Sequence, residues 1–153
     1  MKAYTVNGLS ASGTGPNTAG NIIGSGTIRP WINFLLYGFR TNPATTDQQV
    51  RCGLCNTTGA GTAGSAATPK PRDPAEVAAV CTAGITHSAE PTGTNTQANY
   101  FMDFDLNQRA SKEWGCADGQ EFVGALVASN GIASVMRGVT TAIVESCVMG
   151  WRE

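Results

Sequence analysis

The last third of the chain, residues 99–153, constrains the fold most strongly, because short apolar runs in it alternate with turn signals. Asp118-Gly119 and Asn130-Gly131 are dipeptides typical of tight hairpin turns. Together with Gly138, they separate strand-length runs at residues 110–114, 121–127, 132–136 and 140–151, which follow a first run at residues 100–106. The pattern predicts an antiparallel meander of β-strands over this part of the chain.

Upstream, residues 2–7 and 48–55 also have strand character, and residues 31–39 form the most apolar stretch. Both alternating sets of that stretch are apolar, which is typical of a strand buried on both faces. One set is Trp31, Leu35, Tyr37 and Phe39, and the other is Ile32, Phe34 and Leu36. A helix is the rival interpretation, but Gly38 and the aromatic and β-branched content favour a strand. We therefore expect one face of this strand to meet the core and the other to meet something else.

The remaining segments predict connections. Residues 8–20, 56–74 and 85–98 are rich in Gly, Pro, Ser, Thr and Asn, so we expect long loops there, and a turn at residues 41–44. Asp73, Pro74 and Glu76 stand where an N-cap, a first helical residue and a capping-box acid would stand. This spacing predicts one short helix over residues 74–81.

Together these elements predict an all-β fold: a single-domain antiparallel β-sandwich over residues 1–153, jelly-roll-like, with about eight strands, long loops and one short helix. The length of 153 residues suits one domain. The predicted core side chains are Phe34, Leu36, Phe122, Leu126, Val144 and Val148.

Charge and composition indicate which classes of molecule the protein is expected to bind. Charged residues are 14 % of the chain, the net charge is −1 and no Lys/Arg cluster occurs, so nucleic acid and anionic membrane are not expected partners. No apolar run approaches the roughly 20 residues of a membrane helix. The first residues lack the apolar centre of a signal peptide, which predicts synthesis in a cytoplasm. The low charge fits a β-protein with long loops, or a chain whose surface is covered by its own copies or by a larger assembly.

The five cysteines predict no chemistry of their own. They are Cys52, Cys55, Cys81, Cys116 and Cys147, an odd number. Cys52 and Cys55 form a CxxC pair, but a zinc site needs two more ligands and a redox pair should open a helix. In a strand, side chains three residues apart point to opposite faces. Buried free thiols are the expectation, with a metal site and a disulfide as the alternatives.

No other motif predicts a catalytic, cofactor-binding or metal-binding residue. His87 is the only histidine, and we expect it to hydrogen-bond within a loop. Asp103 and Asp105 share one strand face, with Glu113 as a potential neighbour, but Ca²⁺ needs six or more oxygen ligands. The glycine-rich residues 58–64 lack the Lys-Ser/Thr of a phosphate loop. We therefore expect no cofactor, and these absences argue against an enzyme.

Three stretches taken together resemble a known group of proteins. They are Gly26-Thr-Ile-Arg-Pro30, then Asp73-Pro-Ala75 with Thr86-His-Ser-Ala-Glu-Pro-Thr92, then residues 106–110 leading to 128–132. Their order and spacing resemble small, uncharacterised phage and prophage proteins taken to be virion components. The five cysteines depart from that pattern, so no role is carried over to Cys52 or Cys55.

The resemblance implies a structural function: a capsid decoration (cement) protein on the head surface that bridges neighbouring copies of a major capsid protein, or another small head or tail component. Such proteins often act as trimers, and the two apolar sets of residues 31–39 also favour a homo-oligomer, with a trimer expected. Residues 8–20 and 56–67 would then be arms that reach the capsid. The alternative is a carbohydrate-binding β-sandwich module that uses an exposed aromatic platform of Trp31, Trp114 or Trp151.

Overall fold

The computed structural model describes residues 1–40 and 47–153 as twelve strands and one short 3₁₀-helix, Gln97–Asn99. The strands are β1 (Ala3–Leu9), β2 (Asn17–Ile23), β3 (Trp31–Phe39), β4 (Gln49–Thr57), β5 (Thr62–Ala67), β6 (Lys70–Pro71), β7 (Thr82–Ala89), β8 (Tyr100–Asn107), β9 (Lys112–Gly115), β10 (Phe122–Val123), β11 (Gly131–Arg137) and β12 (Glu145–Arg152). The turn expected at residues 41–44 lies outside the described residues.

The strands form two antiparallel sheets that pack face to face. Sheet 1 has the order β10-β3-β12-β1-β6, with β9 also paired to β3, and sheet 2 has the order β5-β7-β2-β11-β4-β8. Every strand pair is antiparallel. The β-sandwich predicted from the sequence is confirmed.

The predicted meander at the end of the chain is wrong. Strands β8 and β11 lie in sheet 2, whereas β9, β10 and β12 lie in sheet 1, so no strand of this region pairs with its successor. Turn dipeptides mark where strands end, but they do not specify which strands pair. Three of the four intervening loops instead carry the chain across the roughly 10 Å between packed sheets, and the loop from β9 to β10 joins two strands that both pair with β3.

The two residues of β3 that were predicted to be in the core, Phe34 and Leu36, do not lie there. Ile32, Leu35 and Tyr37 are buried between the sheets, whereas Phe34 and Leu36 lie half-buried on the outer face of sheet 1. The register against β12 shifts between Gly150 and Trp151, so β3 contains an extra residue that breaks strict alternation. Of the other predicted core residues, Phe122, Val144 and Val148 are half-buried and Leu126 is exposed.

The segments predicted as long loops contain much of the sheet structure. Residues 8–20 include the end of β1 and the start of β2, residues 56–74 include β5 and β6, and residues 85–98 include most of β7. Residues 56–67 are therefore not an arm, because β5 pairs with β7 at the edge of sheet 2. These segments are rich in small residues, so they lack the aromatic and β-branched side chains by which a strand is recognised from sequence.

The predicted helix at residues 74–81 does not form. Asp73 makes the expected cap, since its Oδ1 accepts from the Ala75 amide at 2.9 Å, but only one turn follows. The amides of Val80 and Cys81 donate instead to the Glu153 carboxylate, at 2.9 and 2.8 Å. A partner distant in sequence thus takes donors that a helix would have used.

The outer face of sheet 2 is covered by two crossing segments of the chain, residues 58–61 and 90–99. The two segments pair at Gly59 and Thr92. Asn21 Nδ2 donates to the Ala60 carbonyl (3.3 Å), and Tyr100 Oη donates to the Thr94 carbonyl (2.7 Å). Beneath them a second, small apolar cluster forms outside the main core, with members Cys55, Ala133, Val135 and Tyr100.

Candidate functional site: a docking surface at one end of the sandwich

The exposed large apolar side chains of the described residues gather at one end of the sandwich, where β1 begins and β12 ends. We call this surface the apolar end. Its members, which are 40 to 80 % exposed, are Met1, Val77, Val80, Phe101, Leu126 and Val127. Because exposed apolar surface concentrated in one region is typical of interaction sites, the apolar end is a candidate interface.

The backbone that carries Val77 and Val80 is held in place although their side chains face solvent. Tyr4, buried in the core, donates from its hydroxyl to the Val77 carbonyl at 3.1 Å. Glu153 accepts from the Val80 amide, and Lys2 exchanges two backbone hydrogen bonds with Glu153. The apolar side chains are therefore presented by a fixed segment, which lowers the entropic cost of binding.

On the neighbouring side of the apolar end, Phe101 is the outermost of three stacked rings. The Phe101 and Phe122 centroids are 5.2 Å apart, and Phe122 stacks on Trp114 at 4.9 Å. Phe122 and Trp114 belong to sheet 1 and Phe101 to sheet 2, so the stack closes the open edge between the sheets. Phe101 thereby has a rigid support.

Charges around the apolar end are of both signs and largely paired. Lys2 lies 3.8 Å from Glu76, and Arg152 lies 2.8 Å from Asp118 and also pairs with Glu121. The hydrogen bond from Arg152 lowers the pKa of Asp118. The surface is thus apolar with a neutralised polar rim, as is typical of protein–protein interfaces.

The two cysteines of the CxxC pair point to opposite faces of β4, as predicted. Cys52 lies in the main core and Cys55 in the small outer cluster, and all five cysteines are free thiols. Burial raises the pKa of both thiols, that of Cys55 to about 11. A single metal ion cannot bind both sulfurs across the sheet, and no group of three or more potential ligands occurs among the described residues.

The prediction that His87 lies in a loop is wrong, because His87 is a buried residue of β7. Burial lowers the pKa of His87, against the opposing effect of the Thr18 and Ala60 backbone, and so favours the neutral ring. Strands β2 and β11 separate β7 from β4, which places His87 about 14 Å from Cys55 at the usual strand spacing. The two residues cannot act together as a nucleophile and its base.

Asp103 and Asp105 share the outer face of β8, as predicted, but Asp103 binds side chains. It accepts from Arg51 (2.6 Å), Arg137 (2.9 Å) and Gln97 (2.5 Å). Burial alone would raise its pKa, but these hydrogen bonds outweigh burial and lower the pKa to about 2. The suggested neighbour Glu113 lies on β9 of the other sheet.

Sequence reasoning missed a buried carboxyl group between the sheets. Glu145 is fully buried, and its Oε1 accepts from Ser134 Oγ at 2.7 Å. Burial raises its pKa to about 8, which favours the protonated form of the carboxyl group. The signal was present in β12, because Glu145 shares the alternating set of Cys147, Met149 and Trp151, all of which are buried.

The tryptophans do not form an exposed platform. Trp151 is fully buried, and Trp114 is half-buried under Phe122. Trp31 is half-buried, with the Arg29 guanidinium 5.7 Å from its ring centroid. The glycine-rich residues 58–64 belong to a crossing segment and to β5, so no helix follows them.

Comparison with protein-family models, curated proteins and solved structures found no match. Within the described ranges, no helix has the length and apolar character needed to cross a membrane.

Proposed function

We propose that the protein is a non-enzymatic structural component of a bacteriophage particle, a capsid decoration protein that docks on the head lattice through its apolar end. The observation that carries this proposal is that the exposed large apolar side chains of the described residues all lie at the same end of the sandwich. Docking would bury them beside the neutralised rim of Lys2, Glu76, Arg152 and Asp118.

The strand order supports this proposal. Strands β1-β12-β3-β9 are neighbours in sheet 1, and β2-β11-β4-β8 are neighbours in sheet 2. We infer a jelly roll, because eight strands of such a fold alternate between two four-stranded sheets in this way, and viral capsid proteins use that architecture. Strands β5, β6 and β7 are then an insertion between the fourth and fifth strands of the roll.

The second part of the proposal is self-association, with a cyclic trimer as the expected form. The outer face of sheet 1 carries Phe34, Leu36 and Val148, which are only half-buried. The low overall charge reduces the repulsion between copies. Contacts between copies would use this outer face and leave the apolar end for the lattice.

The test uses virus-sized particles from the organism that encodes the chain. After prophage induction and gradient purification, mass spectrometry should find this chain in a fixed ratio to the major capsid protein. Sedimentation of the purified protein at micromolar concentration should give a trimer. A monomer that is absent from every purified particle would overturn the proposal.

A matched pair of variants locates the docking surface. Replacing Val77, Val80, Leu126 and Val127 with serine should abolish binding to stripped particles, because it removes the apolar contact area while sparing the core. Ala142→Ser changes an exposed residue in the loop before β12, at the opposite end, and should bind as the wild type does. Equal binding by both variants would exclude the apolar end as the docking surface.

A further inference from the structure

The edge of β1 is paired along only half of its length. Sheet 1 ends on this side at β6, which pairs with β1 only at Tyr4 and Thr5. Beyond that point, no strand among the described residues pairs with the outer side of β1. The uncovered part runs from Val6 to Leu9.

The direction of each backbone group on β1 follows from its pairing with β12. Lys2 exchanges hydrogen bonds with Glu153, and the Ser10 amide donates to the Glu145 carbonyl at 3.0 Å. Because these directions alternate along an antiparallel strand, the even-numbered residues bond to β12 and the odd-numbered ones point away from it. The Ala3 carbonyl accordingly accepts from Arg72 on the β6 side, at 2.8 Å.

Asn7 and Leu9 therefore direct their backbone N–H and C=O groups toward the uncovered edge. Neither has a backbone partner on that side among the described residues. Such an edge is the template to which an extended segment of another chain can add as a strand.

Two grooves flank this edge and meet at Asn7. The larger, about 550 Å³, is partly apolar, and its lining includes Leu9, Leu36, Val148, Ile85, Ser111 and Arg40. The smaller, about 180 Å³, lies toward β6 and is lined by Thr5, Val6, Asn7, Ala67, Thr68 and Lys70. A side chain from an added strand would find an apolar depression beside the open backbone groups.

The charges around these grooves are of one sign. Arg40 and Lys70 are among the lining residues, no acidic residue is, and neither cation forms an ion pair with a described residue. Lys70 lies at the Thr5 end of the edge, where it pairs with β1. Arg40 lies beyond the Leu9 end, because Leu9 is level with Ser146 and Gly38, and the Arg40 amide donates to the carbonyl of Val144. The two cations therefore flank the uncovered stretch along its length.

We propose that the free edge of β1 binds an extended acidic segment of a partner protein, which adds to sheet 1 as an antiparallel strand. The segment pairs with Val6–Leu9 beyond the end of β6, and it places an apolar residue opposite Leu9, beside the larger groove. Acidic side chains two residues to either side of that apolar residue extend toward Lys70 and toward Arg40. The inference goes beyond the proposed function and does not depend on it.

A synthetic peptide with capped ends tests the site: Ser-Glu-Thr-Val-Thr-Glu-Ser. Titrated into the ¹⁵N-labelled protein, it should shift the amide signals of Asn7 and Leu9 and slow their hydrogen exchange. The same peptide with Lys in place of both Glu residues should bind about fivefold more weakly, since attraction to the two exposed cations becomes repulsion. No response at Asn7 and Leu9 to millimolar acidic peptide would overturn the site, and equal binding of both peptides would overturn the charge preference.

A pair of substitutions at one position separates backbone pairing from side-chain contact. Asn7→Pro removes the outward N–H and should weaken peptide binding by about fivefold or more. Asn7→Ala keeps the N–H and should bind nearly as the wild type does. Equal affinity of the two variants would contradict strand addition.

If Asn7→Pro does not fold, as judged by circular dichroism, hydrogen exchange at Asn7 and Leu9 in the wild type decides the question. Failure here leaves particle binding through the apolar end untouched, because the peptide experiment uses the isolated chain.

Discussion

The outer faces of the two sheets differ in how far other segments of the chain cover them. On sheet 2, residues 58–61 and 90–99 cross the strands and bury a second apolar cluster around Val135. On sheet 1, no described segment crosses in this way, and the outer-face valine of β12, Val148, is half-buried beside a groove. The chain thus completes one face by itself and leaves the other open to contact.

This difference separates surfaces that serve the fold from surfaces left for partners. The covering of sheet 2 includes buried polar groups that bind within the chain, such as Asn21 to Ala60 and Thr18 to Glu90. The open face of sheet 1 has a strand edge without a backbone partner among the described residues, and Arg40 and Lys70 form no ion pair with any of those residues. We therefore expect substitutions on the covered outer face of sheet 2 to change the free energy of unfolding. We expect substitutions on the outer face of sheet 1 to change the association with other proteins.

The largest expected effect comes from two adjacent leucines of β3. Leu35 is fully buried between the sheets, so Leu35→Ala should lower the free energy of unfolding by about 2–5 kcal/mol. Leu36 is half-buried on the open face, and Leu36→Ala should cost about 1 kcal/mol. Urea denaturation of both variants measures the difference. Equal losses would mean that the outer face of sheet 1 is as well packed as the core.

A smaller effect compares two valines on the two outer faces. Val135 is fully buried under the crossing segments, so Val135→Ala should cost about 2 kcal/mol of unfolding free energy. Val148→Ala, on the open face, should cost less than about 1 kcal/mol. The same denaturation experiment measures both. A cost at Val135 no greater than at Val148 would show that the crossing segments do not pack on sheet 2 in solution.

The smallest effect concerns pH and the charged cluster on sheet 2. The folded-state pKa of Asp103, about 2, lies below its ordinary value of 3.8, so the ionised form stabilises the fold. That contribution is present above pH 4 and is lost as the pH falls toward 2. Asp103→Asn should therefore flatten the pH dependence of the urea midpoint between pH 5 and 2.5. Asp105→Asn, an exposed neighbour on the same face, is the control, and an identical acid response of Asp103→Asn and wild type would contradict the prediction.

The sequence predicted strand positions better than strand partners. Residues 31–39 were predicted as a strand and form β3, because aromatic and β-branched residues favour extended backbone locally. The sequence could not identify the face of β3 that points to the core, because both alternating sets are apolar. In addition, β3 has one extra residue opposite Gly150 and Trp151, so the core-facing residues change from one alternating set to the other along the strand.

The candidate surfaces were harder to predict because they depend on contacts between distant residues. Leu126 was expected in the core, yet it belongs to a loop that reaches the apolar end. Val80 was expected in a helix, yet Glu153 binds its amide from the other end of the sequence. The open edge of β1 is visible only once β6 is known to pair with two of its residues.

The interleaved strand order also determines when this protein can fold during its synthesis. The neighbours of β12 are β1 and β3, so sheet 1 lacks a central strand until β12 leaves the ribosome. At ordinary translation speeds, roughly 5–20 residues per second, β1 waits on the order of ten seconds for this partner. During that time its apolar residues are accessible to chaperones and to other nascent chains. We therefore expect the speed of translation, and not only equilibrium stability, to affect how much of this chain reaches the folded state.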